Sequence, residues 1–234
     1  MKVWICAYRN WTSEIYPTIK STTDYPIELI NSKEIFDSKY KEFKKNDVVF
    51  FIGWSWILPN NIVSKYNCIC LHPSPLPKYR GGSPLQHQII NGEKESAVTF
   101  FRMTNKLDAG PILYQQKFSL DGDLIDINTR IKDLAIKGIF SILNQSYKEI
   151  IQDESKVTFY KRRKPKQSEI LINDLKTNSA EQLYNKIRCL QDPYPNAFIL
   201  CGDGKKLYLK LANYEKNIEI KEELIKGVTL EEGA

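Results

Sequence analysis

The sequence has 234 residues and lacks any apolar run of the roughly 20 residues that a membrane-spanning helix needs. Residues 1–7 are apolar except for Lys2, but they are too few for the core of a signal peptide, and no small-residue cleavage site follows them. We therefore expect a buried first strand there, a location in the cytoplasm, and no membrane partner.

Cysteine is scarce and irregularly spaced. The five cysteines are Cys6, Cys68, Cys70, Cys189 and Cys201. An odd number without a leader peptide argues against a disulfide framework and favours small buried apolar residues. Cys68, Cys70 and His72 would share one face of a strand, but neighbours on that face are about 6.6–6.8 Å apart, which is awkward for one tetrahedral zinc. We expect no metal.

Glycine is missing from the first strand-to-helix turn, which carries Tyr8, Arg9, Asn10 and Trp11. A dinucleotide fingerprint needs glycines at this turn so that the backbone can approach a pyrophosphate. The turn therefore disfavours an NAD enzyme.

Acidic residues are fewer than basic ones, which gives a formal net charge of +6. This excess suggests an anionic ligand without choosing among phosphate, nucleotide, nucleic acid and lipid. Much of the excess lies in the run from Lys161 to Lys166. The run has two interpretations that stay open, a solvated linker or a strip that touches a phosphate.

Short apolar runs alternate with stretches of helical period, which predicts an α/β protein with an open, doubly wound, Rossmann-like sheet. The predicted strands are 3–8, 27–31, 48–52, 68–72, 97–103 and 112–118. The predicted helices are 11–20, 37–44, 84–91 and 124–150. We place one domain at 1–160 and a small C-terminal extension at 161–234, with a short strand at 170–172, a helix at 180–190 and a β-hairpin at 197–211.

Two polar loops follow predicted strands, where an open α/β sheet binds its ligands. The first begins at His72 and continues through three prolines to the pair Gly81 and Gly82. The second contains Asp108 before a small-residue pair. Because both loops follow strand ends, they would at best be neighbours, and this does not by itself bring His72 into contact with Asp108. We interpret the other histidine, His87, as structural.

Several motifs in order resemble the folate-dependent formyltransferase family. They are His72, Ser74-Pro75-Leu76-Pro77, Tyr79-Arg80-Gly81, Leu107-Asp108-Ala109-Gly110, the upstream segment 53–59, and the downstream residues Arg163-Lys164-Pro165 and 193–198. The match spans roughly residues 48–212. It implies the formyltransferase fold and a folate-dependent N-formyltransferase.

One position departs from the family pattern, because Cys70 stands where the family has an asparagine whose amide helps to hold the formyl oxygen. A thiol is a weak donor, and the loss of one oxyanion donor costs about 10²–10³ in rate. Another group supplies the donor, or the enzyme is slow, or the chain is a non-catalytic binder of folate or nucleotide.

The resemblance implies N10-formyltetrahydrofolate as the formyl donor and His72 and Asp108 as the catalytic pair, with Cys70 beside them. His72 would polarise the formyl oxygen and help to move the amine proton, and Asp108 would orient His72 or a bridging water. The implied folate-binding residues are Gly53, Trp54, Ile57, Met103, Thr104 and Asp108. The implied substrate-binding residues are Arg9, Ser74, Lys78, Tyr79, Arg80, Gly81 and Arg163.

The acceptor expected from the resemblance is a nucleotide-linked amino sugar such as dTDP-4-amino-4,6-dideoxyglucose, for a surface polysaccharide such as O-antigen. A methionyl-tRNA formyltransferase is the alternative. It is less expected because only about forty residues follow Pro195, so we expect no nucleic-acid partner. A homodimer through the C-terminal hairpin is a further expectation from the resemblance.

Overall fold

The computed structural model describes residues 1–215, and a six-stranded sheet dominates it. Ten strands, β1 to β10 in chain order, are Val3–Cys6, Ile27–Ile30, Val48–Ile52, Asn67–His72, Arg80–Gly81, Glu95–Arg102, Ile112–Ser119, Phe159–Tyr160, Ala197–Leu200 and Lys206–Leu209. The α-helices, α1 to α8, are Asn10–Ser13, Ile15–Thr22, Lys33–Lys39, Asn60–Val63, Pro84–Ile90, Leu124–Leu143, Asp174–Thr177 and Ala180–Arg188. None of these helices is both long and apolar enough to cross a membrane.

The main sheet has the strand order β2-β1-β3-β4-β6-β7. Strands β1 to β4 pair in parallel, and β6 and β7 are antiparallel to their neighbours. The chain passes from β1 outward to β2 and then returns to β3 on the other side of β1. This reversal places a crevice outside the carboxyl ends of β1 and β3, where ligands bind in such sheets. The predicted α/β, doubly wound fold is confirmed.

Alternate residues of the sheet pack into two separate cores. Val3 and Ile5 of β1 join a cluster with α2, α5 and α6, which we call the α6 face. Trp4 and Cys6 point the opposite way, into a cluster around Phe36 that we call the Phe36 face. Because side chains alternate along a strand, coverage on both sides explains why β1 and β3 are continuous apolar runs.

Helix α6 covers the sheet with an apolar stripe at helical spacing, in which Ile127, Ile131, Ala135 and Ile139 are all buried. It begins at a capping box in which the Asp123 side chain accepts hydrogen bonds from Ile125 N and Asp126 N.

The predicted helix at 124–150 is too long, because α6 ends at Leu143. Gln145 adopts a left-handed φ of 54°, and Ile150 then pairs with Ile112 at the edge of the sheet. The predicted helix at 11–20 is split into α1 and α2, which meet at Glu14. The predicted helix at 37–44 begins earlier, at Lys33, because Ser32 Oγ accepts a hydrogen bond of 3.2 Å from Ile35 N and so caps the helix.

The C-terminal part packs on the main sheet. Ile170, Ile187 and Ala197 belong to the α6-face cluster, and β8 pairs with β5. The predicted helix at 180–190 and the hairpin are present with shorter bounds, as α8 and as the β9–β10 pair. The predicted strand at 170–172 is replaced by a single bridge between Glu169 and Phe198. The division of the chain at residue 160 stays a prediction.

Candidate active site

A cleft of about 670 Å³ opens at the carboxyl ends of β1, β3 and β4. Its wall is formed by parts of six segments, within 9–11, 53–58, 70–73, 81–86, 103–108 and 159–164, together with residues of α6 and of the turn near Tyr194. The crevice predicted from the strand order is therefore a formed cavity that brings both polar loops together.

His72 ends β4 and is only 6% exposed. Its Nε2 lies 2.8 Å from the backbone oxygen of Tyr79. Because a carbonyl can only accept, Nε2 carries a proton, and the lone pair of the neutral imidazole is on Nδ1. Nδ1 faces Asp108 Oδ2 at 3.8 Å, too far for a direct hydrogen bond. A proton added at Nδ1 would therefore face a carboxylate.

Asp108 is held in a strained turn. Its φ is 52°, in the left-handed region that non-glycine residues avoid. Its Oδ2 accepts a hydrogen bond of 2.8 Å from Gly81 N, which ties it to the other polar loop. Gly110 is required two residues later, because a Cβ there would lie 1.7 Å from the Arg102 backbone oxygen.

A buried side-chain brace supports this turn from behind. Gln152 Nε2 donates to the backbone oxygens of Asp108 at 2.9 Å and Gly110 at 2.7 Å. Gln152 Oε1 in turn accepts from Arg80 Nε at 3.0 Å and Arg80 Nη2 at 2.8 Å. Arg80 and Gln152 are each 5% exposed, and Arg80 also pairs with Glu154. The brace fixes the backbone that carries the Asp108 carboxylate.

Cys70 lies two residues before His72 on the same face of β4, and both line the cleft. Burial raises the pKa of its thiol, and Asp108 and Cys68 raise it further. Its Sγ donates to the neighbouring Leu71 backbone oxygen, at 3.6 Å. Asn67 does not replace it, since its amide oxygen accepts from Arg102 Nη1.

The structure brings most of the predicted site residues to the cleft. Those in its lining are Arg9, Gly53, Trp54, Ile57, Cys70, His72, Gly81, Met103, Thr104, Asp108 and Arg163.

Four predicted substrate-binding residues are not in this lining. Ser74 is fully buried and its Oγ donates to the Lys78 backbone, while Lys78 lies exposed in a different depression. Tyr79 turns away, and its hydroxyl donates to Glu93 Oε1 at 2.7 Å. The guanidinium of Arg80 is bonded to Gln152 and Glu154 in the brace and so is turned away from a substrate. The side chains of Ser74, Tyr79 and Arg80 therefore bond to other parts of the protein and hold the loop in place.

Two cleft residues and one supporting residue were missed in the sequence. Trp11 and Gln86 line the cleft, and Gln152 holds the Asp108 turn. Trp11 carried a signal, since it follows β1 at the reversal of strand order. Gln86 lies among other polar residues of α5, and Gln152 precedes Asp153 and Glu154, so no spacing rule in the sequence identifies either of them.

The cleft is strongly basic. Its lining contains one carboxylate, Asp108, and six cationic side chains, which are Arg9, Lys106, Lys161, Arg162, Arg163 and Lys164. Four of the six come from the run predicted to be either a linker or a phosphate strip. Within residues 1–215, no three His, Cys, Asp or Glu side chains are grouped as metal ligands would be.

Comparison with known proteins identifies relatives over most of the chain. Residues 28–143 match the family described as "Formyl transferase". A methionyl-tRNA formyltransferase from Lysinibacillus sphaericus is 37% identical over 166 residues, which cover 68% of this chain and 51% of the relative. One from Mycoplasmopsis pulmonis is 30% identical over 209 residues, 85% of this chain and 70% of the relative. The chain spans about half the length of the first relative.

Solved structures agree with the fold. A methionyl-tRNA formyltransferase from Clostridium thermocellum has a TM-score of 0.78 and 27% identity, over 89% of this chain and 96% of that one. HypX from Aquifex aeolicus, solved with tetrahydrofolic acid, has a TM-score of 0.75 and 18% identity, over 89% and 37%. An N-formyltransferase from Helicobacter canadensis, solved with folinic acid and dTDP-3-aminofucose, has a TM-score of 0.64 and 19% identity, over 81% and 80%.

Proposed function

Because this chain belongs to the formyl transferase family, we propose that it transfers a formyl group from N10-formyltetrahydrofolate to a primary amine. The observation that carries the proposal is the convergence of His72 and Asp108 inside the cleft, with Nδ1 and Oδ2 3.8 Å apart. This spacing allows a small reacting group or a water to lie against both side chains.

The folate fits the side of the cleft that continues the Phe36 face. Trp54, Leu58 and Met103 supply apolar surface there, and all three pack with that cluster. The indole N–H of Trp54 is buried without a partner, so a polar heteroaromatic ring has a donor to meet. A flat ring with acceptor nitrogens and a carbonyl satisfies both features.

In the reaction, the acceptor nitrogen attacks the formyl carbon, and the bond from that carbon to the folate nitrogen breaks. His72 takes the amine proton at Nδ1. In the imidazolium that results, Nε2 donates to the Tyr79 carbonyl and Nδ1 faces the Asp108 carboxylate, so both N–H groups meet oxygens. The same proton then passes to the leaving folate nitrogen, which returns His72 to its neutral form.

The oxygen of the tetrahedral intermediate has a weak neighbour in Cys70. A protonated thiol is a poor donor, and the raised pKa of this thiol keeps it protonated. His72 Nε2 is already engaged by Tyr79. We therefore propose that the chain works with weaker oxyanion stabilisation than its asparagine-bearing relatives.

The acceptor that we propose is the amine of a nucleotide-linked sugar, which would serve a surface polysaccharide. Its support is the combination of aromatic and basic groups in the lining, where Arg9 lies over the ring of Tyr194 at 5.2 Å. Rings can stack on a base and cations can meet a diphosphate. The Helicobacter canadensis neighbour was solved with such a ligand.

A second acceptor, methionyl-tRNA, is favoured by a different observation. The relatives that are 37% and 30% identical to this chain both carry the name methionyl-tRNA formyltransferase. A tRNA acceptor would also use a basic surface, and its binding would weaken steeply with salt.

One assay tests both acceptors. Purified protein is given N10-formyltetrahydrofolate with either dTDP-4-amino-4,6-dideoxyglucose or methionyl-tRNA, and formylated product is counted. The proposal expects turnover with the nucleotide sugar, and a decrease of about 10²–10⁴-fold for His72→Ala and for Asp108→Asn. Asn at position 108 still offers an oxygen to Gly81 N, so the turn is preserved.

The matched control is His87→Ala, because His87 is the other histidine and is not in the cleft lining. It should keep most of the activity. Turnover with methionyl-tRNA alone would replace the first acceptor with the second. Full activity in both site variants would refute the catalytic assignment.

We also propose that two chains associate through the β9–β10 hairpin. Leu200, Leu207 and Tyr208 are 47%, 55% and 55% exposed there, which is a large apolar surface for one small hairpin. Sedimentation of the wild type and of Leu207→Lys would test this, with a dimer expected only for the wild type.

A further inference from the structure

Four buried side-chain atoms have no hydrogen-bond partner among the residues that the structure describes. They are Trp11 Nε1, Trp54 Nε1, Gln86 Nε2 and Arg163 Nε. All four carry hydrogen and all four residues line the same cleft. Because a buried donor without a partner is unfavourable, orphan donors are rare, and four along one cavity indicate a ligand with oxygen acceptors.

The four donors divide between the two faces of the sheet. Trp54 belongs to the Phe36 face, which we assigned to folate. Trp11 packs against the α6 face. Gln86 follows Leu85 of that same cluster in α5. We call the group of Trp11, Gln86 and Arg163 the donor end of the cleft.

Arg163 lies at the donor end because its backbone is hydrogen-bonded to the residue that precedes α5. Its N–H donates to Ser83 Oγ at 3.2 Å, at the residue before α5. Burial lowers the pKa of its guanidinium, and this effect outweighs the opposing influence of Cys189. One terminal nitrogen, Nη2, donates to the Gln167 backbone oxygen at 2.6 Å, while Nε has no partner.

The donor end therefore offers a ligand three groups, which are an indole N–H, an amide N–H and a guanidinium. Gln86 is only 4% exposed, so its amide is enclosed within the wall of the cleft. Lys161, Arg162 and Lys164 lie beside the donor end, and the single carboxylate of the lining, Asp108, belongs to the catalytic pair. Such a set selects an anion with several acceptor oxygens.

We infer that Trp11, Gln86 and Arg163 bind the diphosphate of a nucleotide-linked acceptor and so position its amine toward His72. This inference rests on the proposed function, and it specifies which residues recognise the acceptor. A diphosphate offers enough oxygens to accept from all three donors, and its negative charge is complementary to Lys161, Arg162 and Lys164 beside them.

The decisive variant is Gln86→Leu, which has nearly the same shape and removes the orphan amide. In the free protein this change should raise Tm by about 2–4 °C, because no hydrogen bond is lost and a buried polar group disappears. At the same time it should weaken the binding of dTDP about 5–10-fold, because one donor is lost from the complex. Stability and affinity would therefore change in opposite directions.

The chain offers a matched control two residues away. Gln88 is also fully buried in α5, but it donates to the backbone oxygens of Pro73 and Pro84 and accepts from Ser96. Gln88→Leu should therefore lower Tm and leave the dTDP affinity of the folded protein unchanged. Arg163→Met should weaken dTDP more than Gln86→Leu does, and it should flatten the salt dependence of binding.

The experiment is a calorimetric titration of the full chain with dTDP, inorganic pyrophosphate and thymidine, and separately with folinic acid. The inference expects dTDP and pyrophosphate to bind competitively, thymidine to bind weakly, and folinic acid to bind all variants equally. A Gln86→Leu variant with unchanged dTDP affinity, or with the decreased Tm of the Gln88 control, overturns it. So does tRNA binding without dTDP binding. If folinic acid did not bind the wild-type protein, that result would instead count against the proposed reaction.

Discussion

Gln152→Leu is the sharpest test of how the candidate active site is held. Gln152 is not itself in the cleft lining; its amide links Arg80 to the backbone of the Asp108 turn. Leucine has a similar size, so the substitution removes the hydrogen bonds without opening a large cavity. The brace should then fail while the core around it remains filled.

The size of the effect follows from the bonds that are lost. The partly buried carbonyl oxygen of Asp108 and the buried one of Gly110 lose their donor, and Arg80 loses its bonds to Oε1 but keeps its pair with Glu154. Each buried group left unsatisfied costs about 1–3 kcal/mol. We therefore expect a loss of about 3–5 kcal/mol in the free energy of unfolding, and a decrease of roughly 10 °C in Tm.

Activity should fall further than stability alone explains. Asp108 has a φ of 52°, a conformation that persists only where its surroundings impose it. Once the brace is gone, the turn can relax and move the carboxylate away from His72. A displacement near 1 Å costs up to about 10²-fold, so we expect kcat to decrease about 10–100-fold at a temperature where the variant is folded.

Two further variants separate positioning from stability. Gln152→Glu still accepts from Arg80 but places a carboxylate oxygen against the two carbonyl oxygens that Gln152 Nε2 bonds, so it should be as slow as the leucine variant. In an Asp108→Asn background, Gln152→Leu should cost no additional rate, because the group that it positions is already disabled. Wild-type kcat in folded Gln152→Leu would refute the reasoning.

Three other predictions concern single residues. Cys70→Asn restores the amide that the family pattern has at this position, and should raise kcat by up to about 10²–10³-fold in the formylation assay; an unchanged rate in a folded variant would mean that another donor already serves the oxyanion. A thiol reagent should label about one cysteine per native chain, at exposed Cys201, because burial raises the pKa values of the other four thiols; Cys201→Ser should abolish this fast phase, and several fast thiols would contradict it. Burial opposes ionisation of Asp47, but hydrogen bonds from two backbone N–H groups and an indole outweigh this and lower its pKa. The stability that the Asp47 carboxylate provides is therefore present above its unfolded pKa near 4, and it is lost as the pH falls through the folded pKa. In urea unfolding, Asp47→Asn should lower the free energy of unfolding by about 2–3 kcal/mol at pH 7 and by much less at pH 2–3. An equal decrease at both pH values would argue against this role of Asp47.

The main sheet was predictable because each strand carries its own signal. Val48–Ile52 is apolar at every position, and only a strand covered on both faces needs such a run. The end of α6 was not predictable from periodicity, because residues after Leu143 still suit a helix. What stops it is a distant partner, since Ile150 pairs with Ile112 across the edge of the sheet. Local pattern carries no information about that competition.

The candidate site divides in the same way. His72 and Asp108 were predicted from motifs, and the family assignment is confirmed. Arg80 was expected to bind substrate because it is a cation in a polar loop, yet its guanidinium is buried against Gln152 and Glu154. Charge and position in a loop do not tell a ligand-binding arginine from a structural one; only the presence of a buried acceptor within reach does.

Gln86 and Gln88 make the same distinction within one helix. Both are buried glutamines of α5, two residues apart. Gln88 finds three partners inside the protein, so its burial is explained by the fold. Gln86 has an amide nitrogen with none. An orphan donor does not stabilise the free protein, and we account for this amide by the complex inferred above, in which a ligand accepts its hydrogen bond.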